Sequence, residues 1–205
     1  MTLSDTRPPL AGPRFRPEDR LDFTLPRFLR DAAVAHADKP FMSTTSGERL
    51  TYAQALALVE RRAVGLASLG VTRGDRVLLI MDNSIDLLIS WFAINLLGAV
   101  EVPCNTANRG ASLAHTANNS GATIAIIDTR YAGALDDVAG ELKTVATVVV
   151  RGEMPTLALP TVALPDLDAT DGTVPDIEVS YRDPAAIIYT SGTTGPAKGV
   201  VVPEV

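Results

Sequence analysis

Four short runs, RVLLIM (76–81), VEVP (100–103), TIAIID (123–128) and TVVVR (147–151), recur along the chain with helix-length stretches between them. A mostly continuous apolar run is how a strand buried on both faces reads, because neither face meets water. Strand, helix, strand, helix requires crossover connections, and crossovers give parallel strands covered by helices. The sequence therefore predicts an α/β fold built on a largely parallel sheet. At 205 residues it can bury one good core, or one core plus a small annex.

The stretches between the runs carry helix signals. TLPRFLRDAAVAHAD (24–38) opens with Thr24 as an N-cap and Pro26 in the first turn. KPFMSTTSGERLTY (39–52) reads as a hairpin turning at Ser46-Gly47. Thr51 and Gln54 form a capping-box pattern for a helix running to Leu69 and stopped by Gly70. Leu56, Val59, Ala63 and Leu66 line its expected buried face, with Arg61 and Arg62 off it. Asn83 or Ser84 caps the next helix. There Ile85, Leu88, Ile89, Phe92 and Leu96 share one face and Leu87, Trp91 and Ile94 another, so its aromatic residues read as packing. Weaker helical patterns lie near 111–119 and 132–142.

These signals divide the chain into a polar, proline-rich tail (1–20), an α/β subdomain (21–151), a stretch at 152–184 and a strand with its loop (185–205). Residues 152–184 hold Pro155, Pro160, Pro165, Pro175 and Pro184 and many carboxylates, with Arg182 the only basic residue, and read as a linker or irregular excursion. The tail lacks the apolar core of a signal peptide. The apolar run 87–100 is too short to span a bilayer and carries Asn95. A net charge of −6 with no basic stripe argues against a nucleic-acid partner. Cys104 is the only cysteine, so no intrachain disulfide forms, and it reads as a small buried hydrophobe. His36 and His115 have no Cys or His at metal-ligand spacing, so no metal site is expected. A cytoplasmic location is the default expectation.

The last apolar strand, AAIIYT (185–190), runs into SGTTGPAKG (191–199). Glycines at 192 and 195 permit close approach of a ligand to the main chain. Successive inward N–H groups make an anion nest. Thr190, Ser191, Thr193 and Thr194 add hydroxyl donors, and Lys198, one of only three lysines with Lys39 and Lys143, adds a mobile charge. Loops at strand ends are where α/β sheets bind ligands, which points to a polyphosphate clamp. The same composition also marks plain solvated loops. The P-loop of the NTPases is a third option, but its Gly-Lys-Ser/Thr ending is not met, since Ala197 precedes and Gly199 follows Lys198.

The segment YTSGTTGPAKG (189–199) resembles the phosphate-binding signature of the adenylate-forming superfamily of acyl-CoA synthetases, peptide-synthetase adenylation domains and luciferases. LTYAQAL (50–56) and INLLGAVEVPCN (94–105) are similar to two weaker motifs of that family, in the same order. GAVEVPCNTANRG (98–110) looks closest to fatty-acid and crotonobetaine/carnitine-type CoA ligases. The resemblance implies the incomplete N-terminal domain of the adenylate-forming fold. It implies ATP and Mg2+ as cofactors, a carboxylic acid and coenzyme A as further substrates, and an acyl-adenylate on the way to a thioester. Thr190, Ser191, Gly192, Thr193, Thr194, Gly195 and Lys198 would then hold the β- and γ-phosphates. Ala197 stands where the family usually has proline, which puts the loop's stiffness in question. Glu204 and Val205 stand where many members continue into a His-containing segment, so the last residues are not expected to follow the natural continuation. By the resemblance no catalytic residue lies within this chain. The isolated chain is expected to be inactive and to self-associate through an unpaired sheet edge. The alternatives are a non-catalytic nucleotide- or phosphate-binding module and a structural domain with a vestigial loop.

Overall fold

The computed structural model describes residues 24–190 and 196–204. After Thr24, which accepts from the Arg27 N–H, α1 (Leu25–His36) leads into the hairpin β1 (Pro40–Ser43) and β2 (Arg49–Thr51). The capping box is present. The Gln54 N–H donates to Thr51 Oγ1 at 3.3 Å and the Thr51 N–H to Gln54 Oε1 at 2.9 Å, opening α2 (Tyr52–Ser68). Gly70, at φ 91°, lets the chain leave that helix in a conformation other residues resist.

The main sheet is entered at β3 (Arg76–Ile80). α3 (Ile85–Leu96) follows, capped by Ser84, which accepts from the Leu87 N–H at 3.2 Å. Then come β4 (Val100–Pro103), α4 (Gly110–Ser120), β5 (Ile124–Asp128), α5 (Ala132–Asp136) and β6 (Thr147–Arg151). β7 (Thr161–Ala163), α6 (Leu164–Asp168), β8 (Pro184–Thr190) and β9 (Lys198–Pro203) complete the described chain. The strand order of this seven-stranded sheet is β7-β6-β5-β3-β4-β8-β9, parallel throughout except that β9 returns antiparallel to β8.

Alternation along the strands explains the two cores. Val77, Leu79, Ile124, Ile126 and Val149 face α1, α2, α3 and α6. Leu78, Ile80, Val102, Ala125, Ile127, Val148 and Val150 face α4 and α5. Apolar side chains are needed at both parities because helices cover both faces. Asn95 does not interrupt this packing. It is fully buried and donates to the Ala185 carbonyl at 2.9 Å, tying α3 to β8. Among the described residues no helix is long and apolar enough to cross a membrane.

Two expectations change. Within 152–184, β7 pairs with β6 from Val148↔Thr161 to Val150↔Ala163, and α6 buries Leu164 and Leu167 against α2. A strand and a helix this short leave too few residues for a periodic signal. Arg62, expected off the buried face of α2, is only 2% exposed. Its guanidinium grips Asp168 with two hydrogen bonds, of 2.7 and 2.6 Å, and also reaches Asp86 and Ser90. The partner lies 106 residues away in sequence, so helical spacing alone carries no trace of it.

Candidate functional site

The parallel strands all end on one edge of the sheet. The connection after β3 leaves toward α3 on one face and that after β4 toward α4 on the other, which opens a crevice beyond the strand ends. β8 delivers Thr190 to this edge, and β9 starts from it with Lys198. Thr190 and Lys198 are directly opposite in the antiparallel ladder, so the neck of the turn holds them as cross-strand neighbours, both exposed. Lys198 has no ion pair or side-chain hydrogen bond to any described residue. Ser191, Gly192, Thr193, Thr194 and Gly195 lie outside the described residues.

The neck is braced from α4, which sequence reasoning did not anticipate. Tyr189 lies opposite Gly199, and a β-carbon there would sit 3.1 Å from the tyrosine ring and 2.8 Å from Ile187. Any larger residue at 199 would force Ile187 and the ring to shift. The Tyr189 hydroxyl donates to Asn119 Oδ1 at 2.7 Å, and burial pushes its phenol up, so it stays a donor. One helical turn before Asn119, His115 meets the Tyr189 ring edge-to-face at 6.4 Å and 88°. His115 Nε2 also lies 2.9 Å from the Ala197 carbonyl. The signal in the sequence is the spacing of His115 and Asn119 on one helix face, legible only once that face is known to meet the hairpin.

At the far end of the hairpin the structure gathers carboxylates. Glu101 is 2% exposed on β4, opposite Ala186 of β8. Burial and the neighbouring charge of Glu204 push its carboxyl up to about 8. Glu204, which the sequence suggested was a loose end, is 9% exposed and accepts the Leu25 N–H at the start of α1 at 3.0 Å. Burial also raises Glu204, the Leu25 N–H pulls it back, and the charge of Asp183 adds to the rise. Asp183 is bound in turn by Arg73 at 2.7 Å. A glutamate inside a four-residue buried strand was the available sequence signal for this cluster.

Cys104 is buried, and burial raises its thiol, in keeping with a packing role. Among the described residues no group of three or more His, Cys, Asp and Glu side chains is placed to hold a metal ion.

Known proteins share the fold. Residues 29–204 match the family model described as AMP-binding enzyme. The chain is 32% identical over 170 residues to the long-chain-fatty-acid–CoA ligase FadD13 of Mycobacterium tuberculosis, covering 83% of this chain and 33% of that protein. It is 30% identical to 4-coumarate–CoA ligase 2 of Oryza sativa, covering 97% of this chain and 38% of the relative. A solved Mycobacterium tuberculosis fatty acyl CoA synthetase superposes with a TM-score of 0.76 at 27% identity, covering 88% of this chain and 34% of the other. The chain spans about a third of the length of the curated relatives it matches.

Proposed function

The chain belongs to the AMP-binding enzyme family, and from that premise we propose that it carries the polyphosphate clamp of an ATP-dependent, AMP-forming carboxylic acid–CoA ligase. The observation that carries the reading is the neck of the β8–β9 turn. Thr190 and an exposed Lys198 without a described partner stand side by side at the edge where the parallel strands end.

The donor set fits a polyphosphate. Lys198 is a compact ammonium on a flexible stem, able to follow charge as it moves between phosphate oxygens. Thr190 adds a hydroxyl donor beside it. Ser191, Thr193 and Thr194 supply three further hydroxyls by composition, and Gly192 and Gly195 leave room for backbone approach. Bound ATP would supply an electrophilic α-phosphate and a pyrophosphate leaving group, with Mg2+ as counter-ion. Charge that grows on the departing pyrophosphate is where fixed donors lower a barrier most. A carboxylic acid and coenzyme A complete the proposed substrate set, supported by relatives named for fatty acids and 4-coumarate. A cytoplasmic setting belongs to the same reading, supported by the single cysteine.

About two-thirds of each relative lies outside the matched region. We assign the groups that hold adenine, ribose and acid to that part. Positioning alone is worth several kcal/mol in a two-substrate step. The 205-residue chain is therefore expected to bind pyrophosphate weakly and to show no acid-dependent ATP–pyrophosphate exchange. Titration of pyrophosphate into the wild type and Lys198→Ala by calorimetry tests the clamp. Loss of a charge-assisted hydrogen bond, about 1.5–3 kcal/mol, predicts a ten- to hundredfold weaker affinity with an unchanged melting temperature. Equal affinity in the two proteins would remove Lys198 from the site.

A further inference from the structure

We propose that His115 is a positioning residue for the phosphate-binding turn. Its imidazole, mounted on α4, fixes the peptide plane from which Lys198 departs.

The argument starts from one hydrogen bond. The Ala197 carbonyl can only accept, so at 2.9 Å the His115 Nε2 carries the proton and donates. That carbonyl shares its rigid peptide plane with the Lys198 N–H. Fixing the carbonyl fixes the plane and thereby the direction in which the Lys198 Cα leaves the turn. Alanine at 197 does not lock its own φ as a proline ring would. The orientation of this peptide is therefore left to its partners, and His115 is the one side chain on α4 that bonds it.

The histidine is itself held. The Tyr189 ring packs edge-to-face against it, and that ring is pinned by Asn119 at its hydroxyl, while Gly199 opposite leaves it room. Both ends of the turn, Tyr189 on β8 and Ala197 before β9, are thus referred to a single face of α4 through residues at i and i+4. α4 packs into the core through Leu113, Ala114 and Ala117, which are at most 4% exposed. The turn that must meet a polyanion is tied to a rigid element, which is what keeps a donor aimed.

The inference rests on the clamp reading above. Its test uses the whole 205-residue chain as wild type, His115→Leu and His115→Gln. Glutamine keeps an N–H donor and leucine does not. Two quantities are read: amide hydrogen exchange over residues 196–200, and pyrophosphate affinity by calorimetry. With His115→Leu, exchange in that segment should rise about fivefold and affinity should fall about fivefold, the worth of one net hydrogen bond. Melting temperature should barely move, because the bond lies at the sheet edge. His115→Gln should return both quantities to within about twofold of wild type. A purely structural role would lower the melting temperature and resist rescue by glutamine. Unchanged exchange in His115→Leu overturns the proposal whatever the ligand does. A wild type that fails to bind pyrophosphate overturns the clamp reading instead, while the exchange measurement still decides what His115 holds.

Discussion

Replacing Glu101 with glutamine should remove a pH dependence that the fold itself imposes. The Glu101 carboxyl is 2% exposed and rises from an ordinary 4.5 to about 8, first through burial and second through the charge of Glu204. Below about pH 4.5 the folded and unfolded chains both hold this proton, so the group costs nothing. As pH rises, the unfolded chain ionises while the folded one keeps its proton, and stability falls. The fall ends above about pH 8, where both are ionised. At about 1.4 kcal/mol per unit of pH, the full loss is about 5 kcal/mol, with about 3 kcal/mol already lost at pH 7. A loss of that size is a large share of a typical domain stability of about 5–15 kcal/mol. Urea unfolding of wild type and Glu101→Gln, followed by the fluorescence of the single tryptophan Trp91, reads the difference between pH 4.5 and 9. The variant should match the wild type at the acid end and gain about 3 kcal/mol on it by pH 7. An amide with an unmet donor would shift the whole curve by a constant, so the slope of the difference is the decisive quantity. Two curves that stay parallel from pH 5 to pH 8.5 would refute a carboxyl held neutral beside Glu204.

Three further outcomes follow from the packing. Asp168→Ala leaves the Arg62 guanidinium, 2% exposed, without its two-point partner and should cost about 3–5 kcal/mol in urea unfolding. An Arg62→Met/Asp168→Leu double variant should recover most of that loss, because no buried charge is then orphaned. Gly65→Ala should destabilise by about 1–3 kcal/mol, since its β-carbon would run into the Leu167 carbonyl oxygen. This holds although alanine favours a helix by about 1 kcal/mol over glycine, and a stabilised variant in thermal melts would show that α6 does not sit so close to α2. The 205-residue chain should self-associate through β9, one of the two edge strands of the described sheet, where Val200 and Val201 are 51% and 58% exposed. Sedimentation velocity across concentrations should show this association weakened in Val200→Lys, and a wild type that stays monomeric throughout would count against it.

What the sequence shows and what it hides divide along the range of the interactions. The Thr51–Gln54 capping box, the Thr24 and Ser84 caps and the stop at Gly70 are decided within about four residues, and all are present. The apolar strand runs are also local, because a strand between two layers of helices must be apolar at both parities. β7 and α6 escape notice because elements this short exist by virtue of their partners, β6 and α2, more than by their own pattern. The site divides in the same way. Thr190 and Lys198 are visible because the segment between them joins adjacent strands, so the residues proposed to hold the phosphates are close in the chain. The groups that hold the turn come from elsewhere: His115 lies 82 residues from Ala197, and Asn119 lies 70 from Tyr189. Glu101 and Glu204 meet for the same reason, since β8 inserts beside β4 and carries β9 with it. Donor chemistry is thus written in consecutive residues, while its orientation and its electrostatic cost depend on strand order. The strand order explains why α4 can brace the mouth of the hairpin while α1 is tied by Glu204 to its other end.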